Sequence, residues 1–314
     1  MTGGKDTLRQ DNVLPDAGLI AVPARPQWDR RLLLGVLLIC MSGLSSSVMQ
    51  GFAKLLGEHY NSIQVSWARA FGHILFMLAV FMPRRGLSLL RTRRLGRHLV
   101  RSALLFLSNL SYFFAIGFVP IADAAAMNMA SPLFVAAMAW PMLRERTNPR
   151  LLAAVLTGFI GVLVIVRPGT AVFHWAALFI MFSAVTNALY QILTRGISDT
   201  ESADTSAIYS SVVGAIGILL VLPFVWKTPE SLLDLALFCS LGGLGALTHY
   251  LIALALGFAP ANLVTPFQYM QLIGSVGVGY VLFNTWPDRM TWIGAAIVVG
   301  AGLYIGWSQT RRRG

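Results

Sequence analysis

Apolar runs of about 20 residues follow one another from Arg31 almost to the C-terminus, separated by short stretches that gather most of the arginines. Wound at ~1.5 Å per residue, a run of that length crosses the ~30 Å hydrocarbon core of a bilayer. Of the 314 residues, 56% are apolar and only 12% charged, about half the charged share of an ordinary soluble domain. Lipid offers no partner to a backbone N–H or C=O, so each spanning segment must close its hydrogen bonds internally. Long runs without two-residue alternation therefore predict helices. Ten are expected, at about 32–53, 63–82, 98–119, 122–142, 151–167, 174–194, 205–226, 232–256, 260–283 and 290–308.

The net charge of +11 would raise the question of nucleic acid in a soluble chain. Here the cations sit in loops without interleaved aromatics, so a nucleic-acid partner is not expected, and the bilayer is. With the N-terminus cytoplasmic, 18 Lys and Arg fall on the inner side and four (Lys54, Arg167, Lys227 and Arg289) on the outer, with Arg69 and Arg101 left inside the membrane. That asymmetry predicts both termini inside, in a bacterial-type inner membrane. Residues 1–30 and 309–314 are expected as tails, the first flexible and the second basic. The first apolar run is too long for a secretory signal core, so no cleaved signal is expected. Cys40 and Cys239 lie inside apolar runs and suggest neither a disulfide nor a metal site.

The chain repeats itself. "SNLSYFFAIGFVP" ends at Pro120 and "THYLIALALGFAP" at Pro260, so that Gly117, Phe118 and Pro120 match Gly257, Phe258 and Pro260 at an offset of 140. Two halves, 31–170 and 171–308, each carry five expected helices. Five is odd, so the second half enters the membrane from the opposite side, an inverted repeat recurrent in secondary transporters.

The text at "VPIADAAAMNMASPLFVAAMAWPMLRE" (119–145), "GFIGVLVIVRPG" (158–169) and "LVTPFQYMQLIGSVGVGYVLF" (263–283), in this order and spacing, resembles the drug/metabolite transporter superfamily, specifically its EamA-type members. The resemblance spans about 30–308. It implies an all-helical, ten-pass fold of two inverted five-helix halves, export or uptake of a small metabolite through a cavity lined by both, and no ATP-binding part or other cofactor. Many members carry an acidic residue after both the fourth and ninth helices; this chain has Glu145 after the fourth but Asn284-Thr285 after the ninth.

Polar groups inside membrane helices are costly and usually face the bundle interior. Arg69, about 9 Å below the outer end of its helix, either snorkels outward, pairs with Asp123, or contacts a substrate carboxylate or phosphate. His73 falls one turn further in on the same face, as a packing residue or a proton carrier. Asp123 itself reads best as a helix cap, with Asn262 near the matching place in the second half. The sixth helix aligns Asn187, Tyr190 and Gln191 on one face, and the ninth aligns Gln268, Gln271 and Ser275 beside Tyr269. Asn109 and Tyr112, Asn128 and Ser131, and His249 and Tyr250 complete a candidate substrate site. Each amide taken alone serves equally as interhelical glue. Such a site suits an amphipathic metabolite with hydrogen-bonding groups and a ring for the tyrosines. Riboflavin-like cofactors, amino acids and nucleoside-like metabolites all fit that description.

Pro132 and Pro266 interrupt the fourth and ninth helices, as static kinks or as hinges for alternating access. Gly302 and Gly306 form a GxxxG for packing within the chain or for a dimer, so monomer and homodimer both stand. His59, His73, His98, His174 and His249 are too scattered for a metal motif, and no nucleophile elbow or phosphate loop is present. The rival readings are a membrane enzyme acting on a lipid or isoprenoid, and a sensor or scaffold.

Overall fold

The structure, a computed structural model, describes residues 30–86, 90–143, 149–168, 174–195, 197, 203–258 and 265–310. The two expected tails beyond these residues, Glu145, Pro260 and Asn262 lie outside them. The described residues form helices and no strand. In chain order they are α1 (Arg30–Gly57), α2 (Ser62–Arg85), α3 (Leu95–Ala115), α4 (Ile121–Asn128), α5 (Ser131–Leu143), α6 (Pro149–Val166) and α7 (Ala176–Arg195). There follow α8 (Ala203–Tyr209), α9 (Val212–Ile216), α10 (Leu222–Val225), α11 (Leu232–Phe258), a 3-10 helix at Thr265–Tyr269, α12 (Met270–Phe283) and α13 (Arg289–Thr310).

Four of these are long and apolar enough to cross a membrane by themselves, over Arg30–Gly57, Ser62–Pro83, Ala176–Thr194 and Leu232–Ile252. Shorter apolar helices fill most of the other expected segments. Large apolar side chains such as Leu178, Leu220, Phe224 and Val281 stand well exposed on the outside of the bundle, which lipid tolerates and water does not.

Two expected helices are broken. The fourth segment divides at Met129-Ala130 into α4 and α5, just before Pro132, which lacks the N–H that would bond the Asn128 carbonyl. The seventh, expected as one helix over 205–226, divides into α8, α9 and α10. At its first break Ser210 Oγ donates to its own helix at Ser206 O, 2.7 Å away. Serine competing for backbone groups in this way weakens a helix.

The freed groups are caught by α2 and α3. Ser102 Oγ donates to Ser210 O at 3.0 Å and accepts the Val213 N–H at 2.9 Å. Trp67 Nε1 donates to Ala215 O at 3.0 Å, and Arg101 donates to Ser206 O. Irregular backbone persists in a membrane only where protein satisfies it in this manner.

The ends explain the departure noted after the ninth segment. Asn284 adopts the left-handed conformation (φ 51°) and ends α12 with its N–H on Tyr280 O, while Thr285 N reaches Gly279 O at 3.0 Å. Asparagine tolerates that geometry better than an acidic residue, so the position serves as a helix stop. At the other end of the loop Asp288 Oδ1 accepts the Thr291 N–H at 2.8 Å and caps α13. Asp123 does not cap: Pro120 occupies the cap position of α4 without a side-chain bond, and Asp123 lies inside the first turn.

Helices α1 and α11 pack together, as do α3 and α7, α6 and α13, α2 and α11, and α1 and α12. Glycines set the spacing. A Cβ on Gly72 would stand 2.9 Å from Gly242 Cα, so α2 and α11 touch backbone to backbone. Gly161 meets Gly294 O and Ile297 between α6 and α13, and Gly43 would meet Gln271 N at 2.9 Å between α1 and α12. Gly302 makes room for the Tyr269 hydroxyl, a contact within the chain.

Candidate functional site

These packings leave a cavity of roughly 390 Å³ at the centre of the bundle. Its walls come from α1, α2, α3 and α4 on the N-terminal side and from α7, α11, the 3-10 helix and α12 on the C-terminal side. The structure brings Arg69, Asn109, Tyr112, Asn128, Asn187, Tyr190, Gln191, His249, Gln268 and Gln271 onto this one surface. It does not bring His73, Tyr250 or Tyr269 there. His73 is buried behind the wall with its ring against His249, centroids 5.4 Å apart. Tyr250 turns to Phe81, and Tyr269 to Gly302.

The wall is cross-linked by its own polar groups. Tyr112 Oη donates to Gln50 Oε1 at 2.7 Å, and Gln50 Nε2 donates to Ser46 Oγ at 3.3 Å. Across the cavity Gln191 Nε2 donates to Asn187 Oδ1 at 2.6 Å and to Ser131 Oγ at 3.2 Å. The Ser131 hydroxyl in turn donates to Asn187 Oδ1 at 3.1 Å. Tyr190 Oη donates to Ser210 Oγ at 3.2 Å, since the Ser210 proton goes to Ser206 O, and this ties the wall to the break in the seventh segment. Below the break in the fourth segment, Asn128 Oδ1 is buried without a partner.

Sequence reasoning missed Ser42, Ser46, Gln50, Ser183 and Thr248, all of which line the cavity. The first three follow each other by four residues along α1, a helical-face spacing visible in "SGLSSSVMQ". Ser183 is held by Ser108, whose hydroxyl donates to Ser183 O at 2.9 Å and joins α3 to α7.

The two intramembrane arginines differ. Arg101, 1% exposed, donates to Thr194 Oγ1 at 3.2 Å and to Ser206 O, and its guanidinium lies 5.3 Å from the centre of the Tyr190 ring. Arg69, 7% exposed, neither snorkels nor pairs with Asp123: it lines the cavity, and no ion pair ties it to a carboxylate among the described residues. Asp123 instead feels the charges of Lys54 and Arg167, which are themselves bonded to Val119 O and to Asp288. Residues at one depth of two helices meet only if they also share an azimuth, which depth alone does not supply.

Arg167 pairs with Asp288, and that hydrogen-bonded pairing, with the α13 N–H groups, draws the Asp288 carboxyl down to about 2. Gln64 exchanges two bonds with Lys227 across 163 residues, Nε2 to O at 2.8 Å and Lys227 N to Oε1 at 2.9 Å.

The family model of EamA-like transporters matches residues 33–167 and again 174–307. The chain belongs to this family. It is a multi-pass membrane protein that transports a small metabolite. It is 31% identical over 280 residues to the S-adenosylmethionine uptake transporter of Rickettsia conorii, covering 89% of this chain and 94% of that one. It is also 31% identical over 288 residues to the riboflavin transporter of Rhizobium johnstonii, covering 90% and 94%. The riboflavin transporter of Vibrio cholerae is 30% identical over 292 residues, covering 89% and 95%. A crystal structure that is 20% identical shares the fold, with a TM-score of 0.58 over 90% of this chain and 98% of its own.

Proposed function

We propose that this transporter carries an amphipathic, ring-bearing metabolite across a bacterial inner membrane, with the substrate held in the central cavity. The observation that carries the reading is the cavity's construction: amides and tyrosines from both family-matching halves converge on one space that no single half encloses. Asn109, Tyr112, Asn128, Asn187, Tyr190, Gln191, Gln268 and Gln271 offer donors and acceptors to the edge of a heteroaromatic ring, and Tyr112 and Tyr190 offer faces to stack on. Arg69 and His249 complete the set. Riboflavin and S-adenosylmethionine, the substrates named for the relatives, both carry such a ring.

The working cycle is alternating access between two inverted five-helix halves, 31–170 and 171–308, in a ten-pass bundle with both termini cytoplasmic. Exchange of partners between the halves supports this. The first segment packs on the eighth (α1 on α11) and the sixth on the third (α7 on α3), as a two-fold axis in the membrane plane requires; the fifth and tenth (α6 and α13) pair with each other. The break before Pro132 and the 3-10 stretch that holds Pro266 lie where the fourth and ninth segments border the cavity, at Asn128 and Gln268, and supply the hinges.

Uptake of labelled riboflavin and S-adenosylmethionine into proteoliposomes containing the full chain tests the reading. Saturable uptake of either above empty liposomes, inhibited by the unlabelled compound, is the expected result. Neither compound entering nor being exchanged would remove the proposed substrate class.

A further inference from the structure

We infer that Arg69 is a subsite for an oxyanion, a carboxylate or a phosphate monoester, carried by the molecule that occupies the cavity. The inference names a substrate class for the site read above and rests on that reading.

Burial of a charge at membrane depth is tolerated when a partner neutralises it or when water reaches it. Arg101 has its partners within the protein, in Thr194, Ser206 and Tyr190. Arg69 makes no hydrogen bond or ion pair among the described residues, and its Nε is wholly buried without a partner. Its side chain borders the cavity, whose described lining contains no Asp or Glu. Among the described residues the lining therefore presents one permanent positive charge and no negative charge to the cavity's contents.

The guanidinium is also held in place. Arg69 lies three residues before Gly72, which meets Gly242 backbone to backbone. Three residues beyond Gly242, a Cβ on Gly245 would stand 3.6 Å from Arg69 Nε, so the arginine stem runs along α11 and cannot withdraw through it. The polar neighbours Asn109 and Tyr190 are neutral groups that add hydrogen bonds without competing for the charge. A planar, rigidly held guanidinium with free N–H groups matches carboxylate and phosphate oxygens in a two-point fork. Cations lacking an anionic group are disfavoured by the same charge.

Matched ligand pairs isolate the anionic group: nicotinate against nicotinamide for the carboxylate, and flavin mononucleotide against riboflavin for the phosphate. Thermal unfolding of the detergent-solubilised full chain is followed as each is titrated, for the wild type, Arg69→Gln and Arg69→Lys. The expected result is that at least one anion stabilises the wild type at a concentration about tenfold or more below its neutral partner. The pair that responds tells carboxylate from phosphate. Arg69→Gln should bring the two members of that pair to within about twofold, and Arg69→Lys should keep part of the difference.

Equal effects of the neutral and anionic members in the wild type overturn the subsite while leaving the cavity as a binding site. An anion preference that survives in Arg69→Gln overturns it too, by assigning the charge elsewhere. If none of the four shifts the wild type, the oxyanion subsite is contradicted, and the cavity reading then depends on the uptake measurement alone. The wild-type comparison needs no variant, so a misfolded Arg69→Gln protein does not rescue the inference.

Discussion

The Ser102 hydroxyl accepts the Val213 N–H at 2.9 Å while donating to Ser210 O at 3.0 Å, and so holds both sides of the first break in the apolar run 205–226. One side chain on α3 thus replaces the backbone bonds that a continuous helix would have made. Ser102→Ala leaves a buried donor and a buried acceptor unpaired, and should lower stability by about 1–3 kcal/mol. A fall in the unfolding midpoint of the detergent-solubilised protein checks this; an unchanged midpoint would mean that the break is satisfied by other groups.

Adjacent glycines in α11 should respond oppositely. Gly242 meets the backbone of Gly72 and His73, whereas a Cβ on Gly243 would find nothing within 4 Å. Gly242→Ala must push α2 from α11 and should cost about 1–3 kcal/mol. Gly243→Ala should be neutral or slightly stabilising, because alanine is the better helix former. Comparing the two midpoints measures the close approach directly, since composition and helix are the same.

Asp288 both pairs with Arg167 and caps α13. Its carboxyl is held at about 2, chiefly by the Arg167 hydrogen bond, below the ~3.9 of an unfolded aspartate. A depressed acid stabilises the fold above its unfolded value and loses that contribution as pH falls from about 4 towards 2. Asp288 is half exposed, with 50% of its side chain accessible, so solvent screening keeps the pairing small. Asp288→Asn keeps a capping oxygen and should flatten the midpoint between those pH values with little loss at neutral pH. Asp288→Ala should cost about 1 kcal/mol at neutral pH through the lost cap. Midpoints at stepped pH separate the two effects.

Tyr112→Phe removes the bond to Gln50 Oε1 and leaves that amide facing the cavity without its donor. The expected effect on riboflavin or S-adenosylmethionine uptake is a severalfold rise in KM, worth about 1 kcal/mol. An unchanged KM would assign the pair to helix packing.

The apolar segments were legible because lipid imposes one rule on every spanning stretch, and their lengths carry that rule in plain view. The interruptions were not. Residues 205–226 read as one apolar run, but its first break comes from a competition among Ser206, Ser210 and the Ser102 hydroxyl, 108 residues away from Ser210, while Pro223 heads the last piece, α10. Helical spacing within one segment correctly grouped Asn187, Tyr190 and Gln191, which share the cavity wall. Adjacency alone did not serve Tyr269 or Tyr250, since neighbouring residues on a helix point apart by ~100°. Pairing between segments was the least legible. Depth suggested Arg69 with Asp123, but the azimuth of α2 turns Arg69 into the cavity, and the cations whose charge reaches Asp123 are Lys54 and Arg167. The spacing of Ser42, Ser46 and Gln50 on α1 is legible, but serines on a membrane helix also bond their own backbone, as Ser42 does to Ile39 O, so spacing alone does not mark a cavity wall.

Substrate counterflow in proteoliposomes, comparing the wild type with Gln191→Ala/Gln271→Ala, tests the central claim that the shared cavity is the transport site. These two amides come from α7 and α12, both in the second half, and line the cavity that the first half completes. The account predicts that the folded double variant loses about tenfold or more in transport efficiency, with an unfolding midpoint near that of the wild type. Wild-type counterflow in a normally folded double variant would contradict it.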